Sequence, residues 1–143
     1  MKAKNILSIL FCVALLASCA SSSEVPFSVA RNYFVSNQYS SQKPEVLTIT
    51  TPEEFSRLFG MATAMGKDGR PTPIDFTKSF VIAKTLPETD IATTVAPQSL
   101  SKTSDGKLLL KSTVKRGEKQ SYTTQPFYAI IVSRNYMGMP VVE

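Results

Sequence analysis

Side chains able to act as nucleophiles or general bases are few in this chain of 143 residues. It has no histidine, and its only two thiols are those of Cys12 and Cys19. Histidine is the commonest general base and, with cysteine, the usual ligand of zinc, copper and haem iron. The composition therefore gives no support to zinc, copper or haem chemistry, and it leaves a Ser–Lys hydrolase as the enzyme hypothesis.

The spacing of serine and lysine does not support that hypothesis. Ser101 directly precedes Lys102, and Ser112 directly follows Lys111. Neighbouring residues on a strand point to opposite faces of the sheet, so neither pair can bring its amine to its hydroxyl. A working pair would need residues distant in the sequence, and no pattern indicates one. We predict that the protein is not an enzyme.

The carboxylates of the chain are spread over separate turns. The acidic residues in those turns are Asp68, Asp75, Glu88, Asp90 and Asp105. A calcium site needs several carboxylates close together, so we interpret these residues as turn and cap residues. The segment Gly66-Lys67-Asp68-Gly69 lacks the Gly-Lys-Ser/Thr ending of a phosphate-binding loop. We predict neither a metal site nor a cofactor.

The first 18 residues have the pattern of an export signal. Lys2 and Lys4 give a basic start, and residues 6–16 form an apolar run that is too short for a stable membrane helix. Small residues and Cys19 follow. Loss of Lys2 and Lys4 would lower the formal charge from +5 to +3, which supports solubility and does not by itself indicate nucleic acid.

The end of this segment, Leu16-Ala17-Ser18-Cys19, resembles the lipobox of bacterial lipoproteins. The resemblance implies cleavage before Cys19 and acylation of its thiol. Two or more acyl chains hold a protein stably at a membrane, so we expect a lipid-anchored protein of the cell envelope, on its periplasmic face or at the cell surface. We assign residues 1–18 to the signal peptide, 19–28 to the acylated N-terminus and a short tether, and 29–143 to a single globular domain.

The clearest local signal is a helix start. Thr51 is a good N-cap, Pro52 suits the first helical position, and Glu54 completes a capping box by reaching back to the Thr51 amide. Apolar residues at positions 55, 58, 59 and 62 continue one helix face. We expect this face to pack against a sheet.

Several apolar runs predict strands. Residues 79–86 and 127–132 are almost continuously apolar, as in strands covered on both faces. Residues 91–96 predict a strand ended by Pro97, Asp105-Gly106 predicts a hairpin turn, and residues 116–125 predict a polar loop. The fold class we predict is α+β: a twisted, mainly antiparallel sheet of about five to seven strands with one principal helix packed on it.

Two stretches are candidates for a partner surface. Arg116, Lys119 and Tyr122 combine positive charge with an exposed aromatic ring, a composition favoured at protein contacts. Tyr136 lies in a second, loosely apolar stretch. A solvated loop and a closing hairpin are the structural alternatives for these two stretches. Nucleic acid is disfavoured as a partner, because few basic residues are present and the expected compartment is wrong.

From Thr51 onward the chain resembles small lipoproteins of the Bacteroidetes type and, more distantly, the PrcB C-terminal domain of a protease-stability complex. The similar segments are Pro52-Glu53-Glu54-Phe55, Leu58-Phe59, residues 73–83 and Pro126 before an apolar strand. The resemblance implies a non-catalytic accessory subunit that binds and stabilises an exported protease.

Our functional prediction is a membrane-tethered, non-catalytic protein-binding module of the cell envelope, with a protease as one candidate partner. The alternative is a lipoprotein that captures a small molecule or glycan between its helix and its sheet. A deep apolar pocket along the Phe55–Phe59 face would favour the alternative, and a filled core there would favour protein binding.

Overall fold

The computed structural model describes residues 21–143, of which 51% are strand and 8% helical. The expected α+β fold with a principal helix is wrong, because this is a mainly β-sheet fold with one α-helix, α1 (Pro52–Leu58). The helix starts as predicted at the Thr51 cap. It stops after Leu58 because Phe59 is already extended and begins a strand, so the predicted helix face is cut short.

The described strands form three sheets rather than one. In chain order the strands are β1 (Ser23–Glu24), β2 (Phe27–Val29), β3 (Tyr33–Val35), β4 (Glu45–Ile49), β5 (Phe59–Met61), β6 (Ser79–Thr85), β7 (Thr89–Lys102), β8 (Leu108–Thr124), β9 (Phe127–Ser133) and β10 (Val141–Val142). A short 3₁₀ helix, Arg134–Tyr136, follows β9. Every strand pairing is antiparallel except that of β10 with β8.

The central sheet has the strand order β2-β9-β6-β4. Its inner strands, β6 and β9, pair over their whole length, from Ser79 opposite Ser133 to Thr85 opposite Phe127. Both strands are buried on both faces, which confirms the prediction made from their continuous apolar runs.

The second sheet, β1-β7-β8-β10, is dominated by the long β7–β8 hairpin. Its turn contains Gly106 at φ 80, as Asp105-Gly106 predicted. Two other predictions for this region were wrong: β7 continues through Pro97, and residues 116–124 are strand rather than loop. Pro97 is tolerated because β1 pairs only with Ser101 and Lys102, which leaves β7 a sheet edge at the proline. Residues 116–124 are polar because little covers them, not because they lack pairing.

The third sheet is the pair β3 and β5, with Phe34 opposite Gly60. The chain is broken between β2 and β3 at Asn32, which has a φ of 61. Asparagine is one of the few residues that adopt this left-handed conformation readily. The break lets β2 join the central sheet while β3 crosses to β5.

Two hydrophobic cores lie on opposite faces of the central sheet. The core toward the β7–β8 hairpin is mostly aliphatic and includes Phe80, Ile82, Leu100, Leu108, Leu110, Tyr128, Ile130 and Val132. The core toward α1 and β5 has a floor of small residues beneath large rings, and includes Val81, Ala83, Ala129, Phe55 and Phe59.

The folded part of the chain begins before residue 29. Val25 is 1% exposed in the first core, and its amide donates to the Leu100 carbonyl at 2.8 Å. Strands β1 and β2 also lie within residues 19–28, which we had assigned to the tether. Strand pairing therefore begins at Ser23, within the part of the chain that the structure describes.

Candidate functional site

A well-formed apolar cavity lies beside α1. It has a volume of about 530 Å³ and is open to solvent. Its apolar lining consists of Tyr33, Phe55, Phe59, Met61, Ile74 and Phe76. This volume falls in the range of small-molecule sites, which are concave and mostly apolar with a few polar groups.

The start of α1 places the aromatic wall of the cavity. The Thr51 hydroxyl accepts a hydrogen bond from the Glu54 amide at 3.2 Å, and Glu54 accepts one from the Thr50 amide at 3.1 Å. The capping box therefore closes on Thr50, one residue earlier than predicted. A helix of seven residues depends strongly on such a cap, because short helices are marginal by themselves.

Three rings then pack around Phe55. Tyr33 meets Phe55 edge to face at 5.0 Å between centroids, while Phe59 and Phe76 lie at 5.1 and 6.0 Å from it. Aromatic pairs in such geometry contribute about 0.5–1.5 kcal/mol each beyond their burial. These mutual contacts fix the positions of the rings, which form one wall of the cavity.

The opposite wall is the segment of residues 62–73, and Asn32 fixes it in place. The Asn32 side-chain amide donates to the carbonyls of Asp68 and Arg70 at 2.6 and 2.9 Å, and the Asn32 carbonyl accepts from the Ala62 amide at 2.9 Å. The Tyr33 hydroxyl donates to the Thr72 carbonyl at 2.6 Å. The wall is therefore held by hydrogen bonds from the β2–β3 turn.

Gly69 shows how tightly this segment is folded. A Cβ at this position would lie 1.8 Å from the Ala64 carbonyl oxygen, a distance that no side chain can occupy. The amide of Ala64 donates to the Gly69 carbonyl at 2.9 Å, which closes the loop on itself. Glycine is required here for space rather than for backbone freedom.

The polar groups of the cavity suit binding better than catalysis. Ser56, Thr63 and Arg70 join its lining, which contains no carboxylate, lysine or thiol. The Ser56 hydroxyl donates to the Pro52 carbonyl at 2.8 Å and has no base beside it. Burial raises the pKa of Tyr33, so its hydroxyl stays a proton donor to Thr72. An apolar wall with one guanidinium at its rim fits a molecule with an apolar body and a polar or anionic end.

Three of the four predicted partner-binding residues lie on one strand. Arg116, Lys119 and Tyr122 are all exposed on β8, where the pairing with β7 is irregular and β8 carries extra residues. Lys119 forms an ion pair with Asp90 at 3.2 Å, and the Tyr122 hydroxyl accepts a hydrogen bond from the side-chain amide of Gln120 at 2.8 Å. Tyr136 lies apart from them, beyond the far end of β9, and packs against the aliphatic core.

Other predicted features have the following outcomes. The predicted lipid attachment residue, Cys19, lies outside the described residues, so its acylation stays a prediction. The Ser112 hydroxyl is hydrogen-bonded to the Tyr128 hydroxyl at 2.7 Å and not to a lysine. Among residues 21–143 no group of three or more His, Cys, Asp or Glu side chains could hold a metal ion. No helix in this part of the chain has the length and apolarity needed to cross a membrane.

Sequence reasoning identified only one side of the cavity. The spacing of Phe55 and Phe59 marked an apolar face, but Tyr33, Arg70 and Ile74 were not singled out. The available signal was the rigid Pro71-Thr72-Pro73 segment, which cannot form a regular helix and must follow an extended path. That path forms the cavity wall.

Comparison of the chain with protein-family models, with curated proteins and with solved structures finds no match.

Proposed function

We propose that this chain is a non-catalytic binding protein of the bacterial cell envelope, anchored through a lipid on Cys19, whose apolar cavity holds a small molecule. The cavity between α1 and residues 62–73 is the observation that carries the proposal. The lipobox-like segment before Cys19 supports the location. From the sequence, a pocket along the Phe55–Phe59 face would favour a bound small molecule over a protein partner. That face lines an open cavity.

The chemistry of the lining suggests the class of ligand. Large rings favour an apolar body, and Arg70 at the rim favours an acidic or polar end, since the structure shows no ion pair for it within residues 21–143. A fatty acid is a simple molecule of this kind. We therefore choose dodecanoate as the probe, at concentrations below its micellar concentration.

Calorimetric titration of dodecanoate into the protein tests the proposal. We expect saturable binding at one site, and Ile74→Phe should weaken it at least tenfold because the larger side chain fills the cavity. Val114→Phe is the matched control, since Val114 is 43% exposed on β8 and does not line the cavity. Absence of binding, or equal binding by both variants, would contradict the proposal.

A protein-binding module is the second candidate function. It is favoured by the outer edge of β8, because β10 pairs only with Leu108 and Leu109 and leaves the strand open beyond them. An open edge with Tyr122 58% exposed can accept an added strand from another protein. The resemblance to the PrcB C-terminal domain adds an exported protease as a partner to test.

Site-specific photo-crosslinking in the native host tests this second candidate. A crosslinking side chain at position 122 should capture one defined protein, and the same group at position 136 should not, because Tyr136 packs against the core. The double change Arg116→Glu and Lys119→Glu should abolish the adduct. Identical adducts from both positions would count against β8 as the contact surface.

A further inference from the structure

A second cleft lies on the other side of Tyr33 from the apolar cavity and differs from it in polarity. It has a volume of about 370 Å³ and lies where β3 and the turn after it meet the β6–β7 and β8–β9 connections. Its lining includes the side chains of Phe34, Asn37, Glu88 and Gln125. An aromatic ring among amide and carboxylate groups is a different chemical surface from the ring-lined cavity.

Phe34 offers one face of its ring to this cleft. The other face lies on the backbone of Gly60, where a Cβ would come within 2.2 Å of the ring. The side chain is nevertheless 47% exposed, which is unusual for phenylalanine. A flat ring fixed from behind is a platform on which aliphatic C–H groups can pack, since the ring face carries partial negative charge.

Gln125 has an unused hydrogen-bond donor at the same cleft. Its Nε2 is buried and has no hydrogen-bond partner, and it is the one such side-chain atom found within residues 21–143. A buried donor without a partner costs about 1–3 kcal/mol, so native structures rarely keep one without a ligand or water to fill the role. Because Nε2 itself is shielded from solvent, the Gln125 side chain turns toward the cleft it lines before a ligand oxygen accepts from it and removes that cost.

Glu88 supplies a complementary acceptor. Its side chain is exposed, lines the cleft, and forms no ion pair within the described part of the chain. The carboxylate would repel an anionic ligand and accept hydrogen bonds from a neutral one. The cleft therefore needs a molecule that is uncharged, has an aliphatic face, and carries hydroxyls that both donate and accept.

We propose that this cleft binds a single pyranose unit of a glycan. The aliphatic face of the sugar ring packs on Phe34, one hydroxyl oxygen accepts from Gln125 Nε2, and another hydroxyl donates to Glu88. An apolar ligand would leave the Gln125 donor unpaired, and an anion would meet the Glu88 carboxylate. The site is separate from the apolar cavity, so the proposal does not depend on the function proposed above.

Saturation-transfer NMR on the full acylated protein tests the proposal. The probes are the methyl β-glycosides of glucose, galactose and N-acetylglucosamine, and the detergent is dodecyl dimethylamine oxide, which contains no sugar to compete. For at least one glycoside we expect transfer concentrated on the C–H protons of one ring face. Phe34→Ala should abolish it, and Phe34→Tyr should retain it.

Two milder variants keep the test decisive if Phe34→Ala does not fold. Gln125→Leu removes the donor and Glu88→Gln removes the acceptor charge, and each should weaken binding about tenfold. Val114→Ala is the control, because Val114 is exposed on β8 but does not line the cleft. Failure of all three glycosides to bind, equal binding of cyclohexylmethanol, or unchanged binding by Gln125→Leu would overturn the proposal.

Discussion

The two faces of the central sheet carry different kinds of core. On the face toward the β7–β8 hairpin, Phe80, Ile82 and Ile130 interdigitate with Leu100, Leu108 and Leu110, all 0–1% exposed. On the face toward α1, the floor includes Ala83 and Ala129, and rings cover it. The same two strands, β6 and β9, supply both faces through their alternating side chains.

The difference shows what closes a core and what leaves it open. On the hairpin side, branched aliphatic side chains from two sheets pack against each other and are almost completely excluded from solvent. On the side of α1, the sheet presents small side chains such as Ala83 and Ala129 to the aromatic rings. A seven-residue helix and the irregular segment of residues 62–73 cover this face, in place of a second sheet. We call the face toward the β7–β8 hairpin the sealed face, and the face toward α1, which contains the cavity proposed to bind a ligand, the open face.

The largest expected change in the free energy of unfolding comes from shortening one apolar side chain on each face. Leu110→Ala on the sealed face should lower the free energy of unfolding by about 2–5 kcal/mol, because the lost side chain leaves a closed void. Ile74→Ala on the open face should lower it by about 1 kcal/mol, because solvent already reaches that site. Urea denaturation of both variants measures the contrast, and equal losses would mean that the two cores are equally sealed.

Gly69→Ala should act on the open face alone. The new Cβ would collide with the Ala64 carbonyl, so residues 62–73 must shift, at a cost of about 1–3 kcal/mol. Dodecanoate affinity should fall with the displaced wall. Gly117→Ala is the matched control, since its Cβ would make ordinary contacts at 3.4 Å, and its stability should change by less than about 0.5 kcal/mol. A Gly69→Ala protein with normal affinity would show that this wall does not shape the site.

Thr51→Ala tests how far the open face depends on its helix cap. Loss of the bond from the Glu54 amide should cost about 1 kcal/mol and loosen the first turn of α1. Hydrogen exchange should therefore rise in α1 but not in β6 or β9. Thr113→Ala, at an exposed position on β8, serves as the control. Increased exchange in the inner strands would mean that the two faces unfold together.

Tyr128 gives the sealed face a dependence on pH. Burial raises the pKa of its hydroxyl, and the Glu143 charge acts in the same direction. The folded state thus holds this proton more tightly than the unfolded state, so the stabilisation is complete below about pH 10 and is lost as pH rises through the folded-state pKa.

Tyr128→Phe should accordingly make the free energy of unfolding decrease less steeply with pH above about pH 10. At neutral pH the same change should lower that free energy by about 1 kcal/mol, because the hydrogen bond with Ser112 is lost. Tyr122→Phe, at an exposed position, should change neither quantity. Denaturation midpoints measured across the alkaline range provide the comparison. A variant with an unchanged alkaline slope would contradict the assignment to Tyr128.

Local signals predicted the parts of this fold that depend on neighbours in the sequence. The Thr51 cap, the Gly106 turn and the two doubly buried strands follow from residue type and period. The end of α1 could not be predicted, because Phe59–Met61 gains its strand character from pairing with β3, about 25 residues earlier in the chain. Tertiary pairing overrode a good helical spacing there.

The candidate sites were harder to predict for the same reason. The cavity needs Asn32 to hold the carbonyls of residues 68 and 70, and the cleft joins residues around positions 34, 88 and 125. Such contacts carry no local signature. The polar sequence of residues 116–124 was interpreted as a loop because it lacks alternation, but a hairpin that extends beyond the core has no buried face to produce alternation.

The pairing of β1 fixes how the protein would stand on a membrane. Ser23 is paired with β7 at Lys102, next to the hairpin turn, and only three residues lie between it and Cys19. With Cys19 acylated as proposed, the turn would rest near the lipid headgroups. Ile91, near the opposite end of β7, lies eleven residues from Lys102, which is about 35 Å along the strand. Arg116, Lys119 and Tyr122 would then project away from the bilayer, toward molecules that approach from the aqueous side.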